Sequence, residues 1–507
     1  MLCKRKVGAD QTFQEGCSST LRSHREEKAM RILLVKPHPE LEVAYRLQEG
    51  FLHLEPLELE IVAGGVPEEE VAILDLSLER RPLDVLARRL RGWLPDVVGF
   101  TGYSSNASMV KKLAGVVRAH SPSTVTVVGG IHATIVPGDY AGHAIDVIIR
   151  GEGATAFREL VRRIKKGEPV FFDGQALSER DPEFGSRVAE KPLAYPPVEQ
   201  IPSPRRDLVD RSRYFCIWTS SPSGRLGTLF PRVASLRTSL GCPFSCSFCV
   251  VHHVMGGKYL QRAPEDVVSE IASLQEQYIY FLDDEMFLNQ KRVARIAELL
   301  LERKILKRYI SWARSDTMVK HHELFRLWRR AGLDTVYVGL ESMDNSRLDG
   351  FEKRTTPDSN AKAVALCREL GITLHAAFIV DPDFTVEDFQ HLAKVARDMS
   401  PAEFTFTVLS PSPGTELAEK HKSEFVCDPY RFYDCIHTLL PTRLEIRQFY
   451  RHLSDLYISV LRSNPVRMNK VRAPWRDVFR AIVSGTRFVT SVRKMYNDYP
   501  PYSVSRH

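Results

Sequence analysis

From residue 30 onward the apolar positions fall into two alternating kinds of segment. Short β-branched runs, "RILLV" (31–35), "VAILDL" (71–76), "DVVGFTG" (96–102), "TVTVVGG" (124–130) and "DVIIRGEG" (146–153), alternate with amphipathic stretches such as "PLDVLARRLRGWL" (82–94) and "ASMVKKLAGVVRAH" (107–120). Near-continuous apolar strands between helices predict a parallel, doubly wound α/β sheet, with ligands at the carboxyl ends of its strands. Residues 168–233 break this rhythm: "EKPLAYPPVEQIPSPRRDLVD" is proline-dense without an apolar period and reads as a linker. A second alternation follows, with strands expected at 234–239, 278–283, 308–313, 334–340, 372–380 and 402–409. Six such units predict a partial (β/α)6 barrel, since closure takes about eight. Beyond about residue 415 the chain turns helical, aromatic and basic. The expected organisation is therefore a leader (1–29), a doubly wound domain (30–167), a linker (168–233), a partial barrel (234–414) and a helical C-terminal region (415–507).

Composition narrows the class. A chain of 507 residues exceeds one ordinary core, and 43% hydrophobic with 26% charged residues suits a globular protein. No apolar run reaches the length of a membrane span. The polar leader lacks the apolar core of a secretion signal and is expected to be disordered or not native, so Cys3 and Cys17 carry no weight. Nine cysteines without a secretion signal fit a reducing cytoplasm better than a disulfide framework. The net charge of +7 resides in the tail, where residues 461–507 hold ten Lys and Arg against two Asp.

Three of the thiols crowd into "LGCPFSCSFCVVHH" (240–253), as Cys242-x3-Cys246-x2-Cys249, directly after the first expected barrel strand. Zinc would need a fourth ligand, which His252 or His253 could supply. An iron–sulfur cluster also takes four ligands, and three cysteines would leave one iron open for a substrate. Buried cysteines acting as small hydrophobes are the plainest alternative. Carboxylates recur at later strand ends: "FLDDEMF" (281–287) and "VGLES" (338–342) carry Asp283 and Glu341. "WARSDT" (312–317) adds Arg314 and Ser315, and "SPSPGTEL" (410–417) follows the sixth strand. Singly, each could be a helix cap or an ion pair.

The cysteine loop and these segments together resemble the radical S-adenosylmethionine superfamily. The resemblance implies a 4Fe-4S cluster held by Cys242, Cys246 and Cys249, with the open iron chelating S-adenosylmethionine. Phe248 would lie by the adenine, and Asp283, Arg314, Ser315 and Glu341 would hold the adenosyl ligand. In the amino-terminal domain, "VVGGIHATIVP" (127–137) and "IIRGEGATAF" (148–157) place glycines at strand ends, where a tight turn is the alternative. Both resemble the cobalamin-binding domain often fused to such barrels. That likeness places Thr101, Ser104, Ser105, Gly129, Gly130, His132, Gly151 and Glu152 around the cofactor. The Asp-x-His-x-x-Gly signature of a histidine-ligated cobalt has no match, and His132 suits a turn cap better, so cobalt is expected without a histidine beneath it.

The implied reaction is a radical methylation. An electron would split S-adenosylmethionine, the resulting radical would take hydrogen from an unactivated carbon, and methylcobalamin would supply the methyl group. No side chain is required as catalytic base. "AAFIVDPDFTVEDF" (376–389), "FTVLSPSPGTEL" and "IHTLLPTRL" resemble the hopanoid C-3 methylases, which implies a lipid substrate. A reducing donor such as ferredoxin or flavodoxin is implied as well. In "VRAPWRDVFRAIVSGTRFVTSVRKMY" (471–496), Trp475, Phe479, Ile482 and Val483 stand against Arg472, Arg476, Arg480 and Arg487. This stripe either packs on the barrel or lies on an anionic membrane, so the protein is expected in the cytoplasm or at the inner membrane face. The rival readings are another reaction on the same scaffold, acting on a natural product or tetrapyrrole, and a cobalamin or redox sensor without turnover. The basic tail lacks the interleaved aromatics of a nucleic-acid binder, and no nucleic-acid partner is expected.

Overall fold

A computed structural model describes residues 28–500 apart from 191–194, 222–223, 400–401, 428–429 and 464–471. Nearly all of the expected leader, with Cys3 and Cys17, lies outside the described residues. In the first domain, β1 (Arg31–Lys36), β2 (Glu70–Asp75), β3 (Val97–Phe100), β4 (Val125–Val128) and β5 (Val147–Ile149) pair in parallel in the order β2-β1-β3-β4-β5. A two-residue strand, β6 (Ala176–Leu177), closes one edge antiparallel to β5. The sheet is covered on both faces, and β1 shows why its sequence is apolar throughout. Leu33 and Val35 join a core with the helices Pro82–Gly92 and Ala107–His120, while Ile32 and Leu34 join another with Leu57–Gly64 and Gly153–Lys166. Strand order reverses between β1 and β3, so the crevice for a ligand opens at their carboxyl ends.

The second domain is the partial barrel. Its strands β7 (Val233–Leu236), β8 (Tyr278–Phe281), β9 (Arg308–Arg314), β10 (Leu333–Glu341), β11 (Thr373–Val380) and β12 (Ala402–Val408) are all parallel and lie in chain order. Helices cover one face only, packing on Leu236, Phe281, Val336, Val338, Phe378 and Val408. The inner face carries Trp312, Tyr337 and His375, each half-buried although mid-strand. Their rings stack across three neighbouring strands at 3.8 and 4.3 Å.

The proline-rich stretch does more than connect. Its Cys216, Trp218 and Leu226 pack with Val233, Tyr280 and Ile310 inside the lower barrel, and the buried Trp218 Nε1 donates to Asp334 Oδ2 at 2.9 Å. Prolines suppress regular elements there without preventing apolar burial. At the C-terminus, the helices Ile446–Ser463 and Trp475–Lys494 contribute Phe449, Leu453, Phe488, Val489 and Val492 to the barrel core. No helix among the described residues is long and apolar enough to cross a membrane.

Candidate functional site

The cysteine loop leaves β7 at the barrel mouth, and its path is fixed by carboxylates from the end of β8. Asp283, 2% exposed, accepts from Thr238 N at 3.0 Å, Thr238 Oγ1 at 2.7 Å and Ser239 Oγ at 2.5 Å, while Asp284 Oδ2 accepts from Gly241 N at 2.9 Å. Gly241 is required here, since its φ is +84° and a Cβ would fall 2.2 Å from Lys258 O. Beyond it, Cys246 is buried, Cys242 and Cys249 are half-buried, and all three are free thiols. Burial pushes the Cys242 thiol up to about 12 and raises Cys249. Ligation would therefore displace protons.

Arg314, expected at the adenosyl ligand, clamps this loop instead. Its guanidinium lies 3.8 Å over the Phe244 ring, Nη1 points at Cys246 Sγ at 3.8 Å, and Nη2 donates to Lys353 O at 2.5 Å. Ser315 is likewise one layer back. It is fully buried, and its Oγ bonds Asn360 Oδ1 at 2.6 Å, whose amide donates to Leu340 O and Ser342 O at the end of β10. Asp283 is also spent on the loop. These three residues shape the mouth rather than face it. Phe248 packs edge-on to Phe351 at 5.8 Å, in an apolar cluster with Ile379 and Leu409.

Glu341 does face the mouth. It has a φ of +59°, at a register shift in β10, and its Oε1 pairs with Lys353 Nζ at 2.6 Å. Gly339 makes room for that pair, because a Cβ there would sit 2.3 Å from the carboxylate. Among the described residues, four of the six non-glycine residues with positive φ are Glu341, at the end of β10, and Glu352, Arg354 and Cys435, in the loops at this mouth. Such strain gathers where surrounding structure imposes a functional geometry. Glu285, buried behind the loop and accepting from Arg314 N at 2.8 Å, is raised to about 7 by burial.

On the facing domain, Thr101, Ser104 and Ser105 follow β3, and Gly129 and Gly130 follow β4, at the switch-point crevice. Gly130 has a φ of +98°, and a Cβ there would lie 2.8 Å from Gly102 O. Gly129 differs: a Cβ would meet nothing nearer than 3.9 Å. Gly151, φ +76°, donates its N–H to Thr134 Oγ1 at 3.0 Å. Glu152 is a helix cap, accepting from Ala154 N at 2.7 Å and Thr155 N at 2.8 Å. His132 is fully buried, with Nδ1 bonded to Ser104 Oγ at 3.0 Å and Nε2 to Asp139 Oδ2 at 2.9 Å. Both ring nitrogens are thus already hydrogen-bonded, so His132 ties Ser104 to Asp139, as Glu152 caps its helix.

The two mouths face each other. The helix Ile131–Ile135, which follows the Gly-Gly loop, packs on Val251–Met255, which follows the cysteines, and the Tyr430 ring stands edge-on to His132 at 4.7 Å. Tyr103 is 62% exposed, yet burial by surrounding protein raises its hydroxyl, and the charged groups near it are Glu58 of its own domain and Arg237 and Asp284 of the barrel side. Tyr103 thus stands between the two mouths. Cys435 likewise has an exposed side chain, its thiol is pushed up to about 11 by burial, and Cys249 lies close enough to raise it further. Sequence reasoning missed Tyr103, Arg237, Lys353 and Cys435, since nothing local marks them.

A free three-thiol loop at a parallel-barrel mouth, opposed by a glycine loop at a switch point, marks an α/β protein whose candidate site lies between its two domains. The family comparisons agree: residues 236–396 match the radical SAM superfamily and residues 51–161 match the B12 binding domain. The chain is 31% identical to the hopanoid C-3 methylase of Methylococcus capsulatus, over 84% of this chain and 79% of that one. It is 28% identical to an anaerobic magnesium-protoporphyrin IX monomethyl ester cyclase of Rubrivivax gelatinosus, over 71% and 64%. Among solved structures, it overlays the radical S-adenosylmethionine methyltransferase TsrM of Kitasatospora setae with a TM-score of 0.62 at 18% identity, covering 93% and 99% of the chains. The chain belongs to the cobalamin-binding branch of the radical S-adenosylmethionine superfamily. It is an enzyme of the radical methyltransferase kind, whose cofactors are a 4Fe-4S cluster, S-adenosylmethionine and cobalamin.

Proposed function

We propose that this enzyme methylates an unactivated carbon of a polycyclic lipid, with C-3 of a hopanoid as the substrate position. The likeness to hopanoid C-3 methylase, running through both domains, carries this reading. The cofactors together would supply radical cleavage of a C–H bond and delivery of a methyl group. The chain's own residues would hold and enclose them. Cys242, Cys246 and Cys249 would be the cluster ligands, and three thiols without a disulfide partner fit a cluster with one iron left to a small molecule. Arg314, Asp283 and Ser315 would set the loop geometry, while Glu341, Lys353 and Asp284 would meet the polar groups of the adenosyl ligand by charge-assisted hydrogen bonds. Phe248 would contribute an apolar wall. Thr101, Ser104, Ser105, Gly129, Gly130 and Gly151 would form the cobalamin side, where the lack of a side chain at Gly129 suits close approach of a large flat ligand.

The substrate would enter the concave face beyond the linker segment, where the Trp312–Tyr337–His375 stack offers an extended ring surface with Glu403 paired to His375. A low-potential donor of the ferredoxin or flavodoxin kind would supply electrons, and a lipid substrate would bring the enzyme to the cytoplasmic face of a membrane. The same aromatic stack suits a planar tetrapyrrole, and the cyclase relative favours that second reading. Lipid extracts from a host that makes unmethylated hopanoids decide between them. Expression of this chain is expected to add the mass of one CH₂ to the A ring, and its Cys246→Ala variant is expected not to. Unmethylated hopanoids in cells whose enzyme carries all its cofactors would refute the lipid assignment.

A further inference from the structure

The helix Trp475–Lys494 is fixed in rotation at both ends. Near its start, Asp477 Oδ2 accepts from Thr228 Oγ1 at 2.6 Å and from Leu229 N at 2.9 Å. In its last turns Phe488, Val489 and Val492 are buried in the barrel core, and between them Ser484 packs against Gly50. At about 100° per residue, Trp475, Phe479 and Ile482 must then point away from the protein. They are 73%, 62% and 55% exposed. Three large apolar side chains in consecutive turns form a continuous stripe, unlike the scattered apolar residues of an ordinary surface. Leu47, on the helix Glu42–Gly50 packed alongside, is 39% exposed.

Charge decides what fits this face. By the same spacing, Arg476, Arg480, Arg487 and Lys494 line one flank of the stripe, Arg472 lies exposed just before it, and the helix's one acidic residue, Asp477, is turned inward. The flank is oriented by aromatic rings: the Arg476 guanidinium lies 5.7 Å over Trp475, and Arg480 lies 4.6 and 4.1 Å over Phe215 and Phe230. The carboxylates of the neighbouring helix, Glu42 and Glu49, are already paired with Arg46 at 2.6 and 2.7 Å. An apolar stripe with Trp at its end and a basic row along one side complements the headgroup layer of an anionic bilayer.

We propose that this face docks the enzyme on anionic phospholipid membranes in the plane of the interface, without insertion. The proposal deepens the lipid-substrate reading and rests on it for its purpose, but it is read without any hopanoid. Full-length holoenzyme is sedimented with vesicles of phosphatidylcholine alone and of phosphatidylcholine with phosphatidylglycerol. Binding is expected only with phosphatidylglycerol, weakening as salt rises. The combined W475S, F479S and I482S variant, and separately R476E with R487E, are each expected to lower the partition coefficient at least about tenfold, with melting temperature and cofactor content unchanged. Equal binding by parent and variants, or no binding to the anionic vesicles, would overturn the proposal. So would a change in oligomeric state on substituting the stripe, since that marks a second copy as its occupant. Vesicle binding without hopanoid methylation would refute the substrate alone, and methylation without vesicle binding would refute the docking face alone.

Discussion

Gly129 and Gly130 are adjacent in sequence, but alanine should do opposite things at the two positions. At Gly130 the φ of +98° lies where side chains are strained, and the new Cβ would stand 2.8 Å from Gly102 O and 3.0 Å from Gly102 N, both backbone atoms. Strain of about 1–3 kcal/mol and overpacking of about 1–3 kcal/mol together predict that Gly130→Ala loses about 2–6 kcal/mol of stability. At Gly129 the Cβ would meet only Ile149, at an ordinary contact distance of 3.9 Å, so Gly129→Ala should fold as well as the parent. If cobalamin lies against this glycine, however, the methyl group intrudes on the ligand. An overpacking cost of about 1–3 kcal/mol then corresponds to a loss of about 5- to 150-fold in affinity. The assay is thermal unfolding of both apo variants alongside cobalamin titration followed by visible absorbance. Gly129→Ala should leave unfolding unchanged and weaken cobalamin. Parental affinity in a normally folded Gly129→Ala would refute the proposed cradle.

Two further outcomes follow from buried charges. Arg314→Lys keeps the charge but loses the stacking on Phe244 and the forked reach to Asp316 and Lys353 O, contacts worth about 1–3 kcal/mol. Iron content after anaerobic reconstitution should fall several-fold with the circular dichroism unchanged, and full iron loading would contradict the clamp. Glu60 is fully buried with no hydrogen bond to either carboxylate oxygen, and burial, reinforced by Glu55, raises it from 4.5 to about 8. A raised carboxyl stabilises the fold fully below the unfolded value of 4.5, and that contribution is lost as pH climbs through 8. Glu60→Gln should therefore flatten the fall in melting temperature between about pH 5 and pH 8, and an unaltered pH profile would show that Glu60 does not carry it.

The strands were legible because a sheet buried on both faces, or against helices, needs uninterrupted apolar residues. "RILLV" and the run within "YIYFLD" are such sequences, and each forms a parallel strand. The cysteine spacing was legible for a similar reason, since its chemistry is local. What escaped was the direction of polar side chains at strand ends. Asp283, Arg314 and Ser315 do sit at the mouth, but their partners Thr238, Lys353 and Asn360 are 39 to 45 residues away. No periodicity encodes such pairings. Lys353 and Cys435 were invisible for the same reason, and the left-handed backbone at Glu352, Arg354 and Cys435 carries no glycine to announce it. The edge strand Ala176–Leu177 is too short for an alternating pattern and lies in the stretch read as linker.

The central claim is that three cysteines hold a four-iron cluster and leave one iron to S-adenosylmethionine. Mössbauer spectroscopy of the ⁵⁷Fe-reconstituted, anaerobic protein tests it most directly, recorded with and without that molecule. The account predicts one iron site distinct from the other three, whose isomer shift moves when S-adenosylmethionine is added. Four equivalent sites that do not respond to it, or zinc in place of iron, would contradict it.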